Sequence, residues 1–330
     1  MSPLTLNAPR YNATPIRSLA ALARALDITE AALVALAGQA DGLYRVAKQI
    51  TKADGTVRIT YDALLPLKKV HQKIKVALQQ KVIFPRYLTG SIRGEDYKTN
   101  AKLHSGAKIL ITEDIGSFFP STKAPVVQDV WQYFFGFSAE VAECMTKLTI
   151  RQGALPQGAI TSPGLANLVF WRVEPVLQAR FGDCGITYSR FVDDIALSSK
   201  QLLTTDDKTS AIAKVYGMMA ACGYRPKREK HEIMTARKRM VVTKLGVNNK
   251  PGLDKKKRSL IRAMVHGLEK QPAELAVANF PKVSGQVALM KRFHPGEAAP
   301  LRARLDTVKA ANLSNALDQI RIRSTSSSDT

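Results

Sequence analysis

Two adjacent carboxylates inside a β-rich run constrain this chain more than any other feature. The run is Tyr188-Ser189-Arg190-Phe191-Val192-Asp193-Asp194-Ile195-Ala196-Leu197-Ser198-Ser199. Its flanks, Ile186 to Val192 and Ile195 to Ser198, read as two short strands, so Asp193-Asp194 falls on the tight turn between them. Neighbouring acids repel each other and stabilise no fold, so the pair calls for a cation. Asp is also an ordinary turn former, and that reading stands beside the first. Most turns, however, set Gly or Asn next to the Asp, and this one does not.

A second acidic stretch lies upstream. Lys108 to Thr112 reads as a buried strand, followed by Glu113-Asp114-Ile115-Gly116-Ser117-Phe118-Phe119-Pro120-Ser121, with Asp114 at the strand's end. Between the two stretches, Leu155-Pro156-Gln157-Gly158-Ala159-Ile160-Thr161-Ser162-Pro163 opens an apolar helix expected near Leu165 to Leu177. Strand and acid, Gly-containing turn into helix, then a hairpin with two acids: this order matches the palm of template-directed polymerases. Three such carboxylates can hold two hard divalent cations, which activate a primer hydroxyl and stabilise a leaving pyrophosphate.

On these residues the sequence resembles a reverse transcriptase, and specifically the retron type. The acidic hairpin resembles the family's aromatic-x-Asp-Asp box, with Phe191 where Tyr is usual. Asp114 with Phe118-Phe119 resembles its first catalytic motif, and Leu155-Pro156-Gln157-Gly158 with Ser162-Pro163 its template and nucleotide grip. Asn100-Ala101-Lys102-Leu103-His104 resembles the Asn-Ala-x-x-His box of retron enzymes. The likeness runs from about Tyr44 to about Gly252. A departure falls at Val242-Thr243-Lys244, where retron enzymes usually carry Val-Thr-Gly.

The rest of the chain fits a polyanion-binding enzyme. Lys and Arg total 49 against 27 Asp and Glu, a net charge of +22, and the acids of interest are held in two short motifs. Cys144, Cys184 and Cys222 form no metal or disulfide spacing, and the five histidines are dispersed. There is no secretory h-region and no apolar run long enough for a bilayer, so the expected compartment is the cytoplasm, with no membrane partner. Thr14 to Gly38 reads as two short helices broken at Asp27-Ile28-Thr29, with Thr29 as N-cap. Glu30 to Ala37 carries no Arg, Lys, Asn or Gln, which argues for core packing over base reading.

Tyr44 to Ile50 and Thr56 to Tyr61 read as strands joined by Thr51-Lys52-Ala53-Asp54-Gly55, and Leu64 to Val82 as a basic helix. By resemblance this is the fingers. Arg58 matches the arginine that forks onto the incoming triphosphate, though any exposed strand Arg looks the same in sequence. Gly90 to His104 reads mostly as loop. Asn100 and His104 are ordinary capping and turn residues on their own chemistry; the resemblance makes them RNA-binding candidates. The aromatic segment Ala124 to Ile150 reads as a helix packed in the palm, with base stacking as the alternative. Lys208 to Cys222 reads as a helix and Val241 to Asn248 as a strand. Lys230 sits where the family places a lysine that protonates pyrophosphate; beside Lys227 and Arg228, plain phosphate binding is the other reading.

From Pro251 a helical thumb is expected. Asp254 caps a helix through Lys255, Lys256, Lys257 and Arg258, which suit duplex phosphates. Further helices are expected over about Ser284 to Phe293 and Pro300 to Ile322.

The expected architecture is thus an α+β right-hand polymerase. Its parts are N-terminal helices and fingers over 1–105, palm over 106–250, helical thumb over 251–323 and a disordered tail over 324–330. No ribonuclease H, endonuclease or integrase domain is expected. The resemblance implies an RNA-directed DNA polymerase using two Mg2+ ions. Asp114, Asp193 and Asp194 are the metal ligands, with the Ile115 carbonyl added, and Lys230 is the general acid. Arg58, Phe119, Gln157 and Gly158 face nucleotide and template. Implied partners are dNTPs, a cognate non-coding RNA serving as template and primer, the RNA–DNA hybrid product, and an effector protein in anti-phage defence. Two rivals remain: another defence-associated or intron-type reverse transcriptase, and an RNA-holding scaffold that restrains a toxic partner.

Overall fold

Runs of alternating or continuous apolar residues between acidic ends build one antiparallel sheet, and helices cover it. The computed structural model describes residues 7–51 and 55–326, with side chains to 311. Six strands matter for the site: β1 Tyr44–Thr51, β2 Val57–Ala63, β3 Ile109–Asp114, β4 Ile186–Phe191, β5 Asp194–Ser199 and β6 Glu232–Thr235. β1 and β2 form a separate hairpin, whose expected turn at 52–54 lies outside the described residues. The other four form the order β4-β5-β3-β6 with every pair antiparallel. β3 is central and buried along its length, as its Ile-Leu-Ile run requires.

The chain divides into two compact units, one up to Thr243 and one from Lys244. In the first, Leu22, Leu26, Leu33 and Leu36 from the N-terminal helices join the same core as Trp131, Phe135 and Phe170. Those helices are Leu19–Ala25 and Glu30–Gln39, and the Thr29 hydroxyl accepts from Ala32 N at 3.3 Å, the cap the sequence predicts. The aromatic segment packs inward as expected: Trp131, Phe135 and Phe137 are buried and only Tyr133 is exposed. The second unit has its own core, in which Ile261, Val265, Val283, Val287 and Leu301 meet from three helices. They are Lys255–Glu269, Ala273–Phe293 and Pro295–Ser326. The Asp254 carboxylate caps the first of them at Lys257 N.

Several boundaries differ from the sequence reading. The single helix expected over Leu165 to Leu177 is two, Ser162–Ala166 and Glu174–Asp183, each with Pro at its first turn. The aromatic stretch is broken as well: the helix Ala124–Asp129 runs on into a π-helical turn, Val130–Phe134, and the helix Ala139–Thr149 follows a left-handed Gly136. In the second unit the middle helix starts eleven residues earlier than the expected Ser284, running through Pro281 because Ala276 and Val283 share one buried face. Val241 to Asn248 is not a continuous strand, since Thr243 and Lys244 take φ of 47° and 69°. The second of those positions is where the family's usual Gly would sit without strain. The last helix carries through Ser324–Ser326, where a tail was expected to start, and 327–330 lie outside the described residues.

The stretch read as loop over Gly90 to His104 contains the helix Tyr97–Leu103, N-capped by Asp96. This overturns direct RNA contact by Asn100 and His104, because each is 1% exposed and has no surface to offer a ligand. Asn100 accepts from the Thr89 hydroxyl at 3.0 Å. His104 bridges two strands, with Nε2 to Ser189 Oγ and Nδ1 to Ser198 Oγ, both at 2.7 Å. Burial pushes the His104 imidazole down to about 4. A histidine depressed when folded favours the native state above its unfolded value near 6.5 and stops doing so as pH falls toward 4. His71, buried and also depressed by desolvation, acts in the same direction. We expect the wild type to lose about 3 kcal/mol through His104 across that window, and His104→Gln to flatten the melting-temperature profile between pH 4 and 7. An unchanged profile would assign the acid sensitivity elsewhere.

Candidate active site

Three acidic residues come to one end of the sheet because two antiparallel strands end in register. Asp114 closes β3 directly across from Asp194, which opens β5, and Phe191 pairs with Asp194 on the other side. The connecting turn is therefore Val192-Asp193, one residue earlier than the sequence placed it. The Asp193 carbonyl accepts from Ile115 N at 3.0 Å, tying the turn to the end of β3. Like charges opposite one another weaken a sheet, and the cost appears as a resistance to ionisation. Asp193 is raised, first by desolvation and next by the Asp114 charge. Asp194 is pushed up to about 7 by desolvation, then by Asp193 and Asp114. Asp194 is nonetheless open to solvent, so the repulsion is the contribution that counts most, and it is the one a cation removes.

A protein cation already lies there. Lys230 Nζ hydrogen-bonds the Asp114 carboxylate. Partial burial pulls the Lys230 ammonium down, but the Asp114 hydrogen bond and charge outweigh it and hold the group above its usual value. The backbone fixes this approach: Lys227 N donates to Asp114 O at 2.7 Å, and Gly116 N to Arg225 O at 2.8 Å. Glu113 adds a clamp that the sequence reading missed. It is buried, accepts from Tyr216 Oη at 3.0 Å and bonds His231 Nδ1 at 2.6 Å, one residue beyond Lys230. An acid next to Asp114 at the end of an apolar strand was the available signal.

The donor set is entirely hard carboxylate oxygen, which suits Mg2+, Mn2+ or Ca2+ and not a soft metal. Among the described residues no three His, Cys, Asp or Glu side chains converge on one point; Asp114 is turned toward Lys230. The mutual repulsion and the captured ammonium both show a site with a demand for positive charge. Ile115 has a buried side chain, so only its backbone can contribute.

Residues of the β1–β2 hairpin reach the same neighbourhood. Arg58 is exposed on β2, and its charge acts to lower Asp193. With the Gln157 amide oxygen turned toward it, Arg58 Nε donates at 3.0 Å. Tyr61 N donates to the Gln157 carbonyl at 2.7 Å. Gly158, at φ 106°, lies so close to β2 that a Cβ would stand 2.7 Å from Tyr61 O. Gly158 thus lets the hairpin press on the turn that carries Gln157. Phe118 is buried and Phe119 half-buried, and both stand on one helical turn, Phe118–Ser121.

In the second unit, Lys255 and Lys256 are exposed and Lys257 is partly so. Arg258 differs, since its guanidinium is bonded to Glu297, as is that of Arg262. Replacing the three lysines by Gln is expected to make RNA affinity less salt-dependent, by about 0.7–0.9 in log–log slope for each phosphate no longer neutralised. Arg258→Gln should instead act mainly on the melting temperature of the unit. A salt titration of RNA binding in which the triple variant keeps the wild-type slope would remove this helix from the interface.

Comparison with known proteins agrees with this geometry. Residues 50–249 match the family model described as reverse transcriptase (RNA-dependent DNA polymerase). The chain is 32% identical to the Retron Se72 reverse transcriptase of Salmonella heidelberg over 92% of its own length and 82% of that protein. It is 27% identical to the Retron Ec86 reverse transcriptase of Escherichia coli over 74% of its own length and 76% of that one. Apo telomerase from Candida tropicalis shares the fold at a TM-score of 0.50 and 10% identity, over 84% of this chain and 57% of that one. The chain therefore belongs to the reverse transcriptase family, as an α+β RNA-directed DNA polymerase. Within that family it is of the retron type. Reverse transcriptases generally use a divalent metal and take an RNA template and dNTPs. No described helix is long and apolar enough to cross a membrane.

Proposed function

We propose that this enzyme copies part of a cognate non-coding RNA into single-stranded DNA, starting from a branched 2′-hydroxyl of that RNA, and serves in anti-phage defence with an effector protein. The observation that supports the reading is the placement of Asp114, Asp193 and Asp194 at one end of the sheet, with Lys230 bonded to Asp114 and Arg58 and Gln157 nearby. Residues 1–105 act as fingers, 106–250 as palm and 251–323 as thumb, in the cytoplasm.

In this reading Asp114, Asp193 and Asp194 hold two Mg2+ ions, with the Ile115 carbonyl as a further ligand. The metal, when bound, lowers the pKa of the attacking hydroxyl and neutralises charge on the phosphates. Arg58 forks onto the triphosphate, in a place where its planar guanidinium already meets Gln157. Gln157 and Gly158 hold template and nucleotide. Lys230 leaves Asp114 and delivers its proton to the departing pyrophosphate oxygen; an ammonium held charged beside the acids is ready for that role.

Sequencing the nucleic acid that copurifies with the full chain tests the proposal. A covalent RNA–DNA hybrid with one fixed RNA is the expected result. DNA without a fixed RNA would favour another defence-associated or intron-type enzyme, and RNA without DNA would favour a scaffold.

A further inference from the structure

The turn that carries Asp193 is held in a conformation it would not adopt alone. Val192 has φ 61°. A β-branched side chain is strained in that region, and such residues persist only where their surroundings over-determine them. Two sets of contacts do so. From inside the palm, fully buried Arg190 donates from Nη1 to the Val192 carbonyl at 3.0 Å and from Nη2 to the Asn167 carbonyl at 2.9 Å. The rest of its guanidinium forks onto buried Glu174, with Nε to Oε1 at 2.6 Å and Nη2 to Oε2 at 2.8 Å. Glu174 also accepts from Tyr188 Oη at 2.6 Å. From the other side, the backbone of Gly90 lies against the turn so closely that a Cβ there would stand 2.5 Å from Val192 N and 2.6 Å from Val192 Cγ2. Asn167 closes the circuit, donating from Nδ2 to the Gly90 carbonyl at 2.7 Å.

Stability is a poor reason for this arrangement. A buried ion pair gives up the hydration of both charges, and apolar residues of equal volume usually do as well or better. What apolar residues cannot do is fix a carbonyl in place. We propose that Arg190, Glu174 and Gly90 are positioning residues, which set the Val192-Asp193 turn so that Asp193 and Asp194 are spaced to share divalent cations with Asp114. The inference rests on the reading of those three acids as metal ligands. It also accounts for Arg at position 190, because one planar fork spans Glu174 and the backbone carbonyls of Ala166, Asn167 and Val192, a task a lysine ammonium cannot match.

The test uses the full chain and two variants that disturb the turn from opposite sides. Arg190→Lys keeps the charge against Glu174 but loses the fork. Gly90→Ala touches no charge and pushes on Val192 directly, so it decides the matter if Arg190→Lys does not fold. The measurements are Mn2+ affinity by electron paramagnetic resonance, the Mn2+ concentration for half-maximal primer extension, RNA affinity and melting temperature. Both variants are expected to bind RNA normally, to bind Mn2+ about 10–100-fold more weakly and to need correspondingly more of it for extension. A structural role alone would lower the melting temperature and leave Mn2+ affinity of the folded protein unchanged; that result in Gly90→Ala overturns the proposal. Asp193→Asn is run alongside. If it binds Mn2+ and extends like the wild type, the ligand assignment has failed. If it is inactive while both turn variants match the wild type, only the positioning inference has failed.

Discussion

Asp193→Asn should abolish DNA synthesis while leaving the fold and RNA affinity intact, and Asp194→Asn should do the same. Asn keeps the shape and one acceptor oxygen but removes the charge that faces a divalent cation. Loss of a group that only orients a ligand costs about 10–100-fold in metal affinity or activity, so loss of a ligand's charge should exceed that. Stability should not suffer. Asp193 resists ionisation through burial and then the Asp114 charge, and Asp194 through burial and then the charges of Asp193 and Asp114, so removing one negative charge relieves both the cost of burying it and the repulsion. The expected pattern is thus opposite in sign for the two readouts, with extension lost and melting temperature equal or higher. A primed RNA template, one dNTP and a melting curve suffice. Normal extension by Asp193→Asn would withdraw the site assignment.

That pattern shows what the amino-acid order made legible. The Ile-Leu-Ile run before Asp114 and the paired β runs around Asp193-Asp194 could only be strands, and strands that end in acids bring those acids to a sheet end. The turn slipped by one residue because the positive φ of Val192 is imposed by Arg190 and Gly90, which lie outside the turn. No local propensity encodes such a constraint. The helix Tyr97–Leu103 was hidden for a similar reason: YKTNAKL has little apolar periodicity, and its stability comes from the Asp96 cap and from burying Asn100 and Ala101. Treating Asn100 and His104 as surface groups followed from that error. His104 shows the hazard of reading a polar residue by type alone, since two serine hydroxyls satisfy both ring nitrogens inside the core. The Arg190–Glu174 pair has a signal in the sequence: a charged residue within an otherwise buried strand needs a partner.

Phe118 and Phe119 provide the sharpest separation of structure from specificity. Phe118 is 3% exposed, stacks on Phe170 at 6.3 Å and packs on Tyr224 at 5.4 Å. Phe119, five residues after Asp114, is only half-buried. We propose that it lies beneath the incoming sugar, where its ring would collide with a 2′-hydroxyl and admit deoxyribose. The two side chains diverge because they stand on one turn of helix that follows a left-handed Ser117 at φ 48°, where consecutive residues point about 100° apart. Phe118→Ala should therefore cost about 3–5 kcal/mol of stability, with sugar preference kept in whatever protein remains folded. Phe119→Ala should change stability less and admit ribonucleotides. One steric mismatch is worth about 1–3 kcal/mol, so discrimination should relax by about ten- to two-hundred-fold and not vanish. Single-nucleotide extension with matched ribo- and deoxyribonucleotides, run beside denaturant melts of both variants, separates the two effects. If Phe118→Ala were the variant that accepted ribonucleotides, the ring beneath the sugar would be the buried one, and the helical turn would have to reorganise when nucleotide binds.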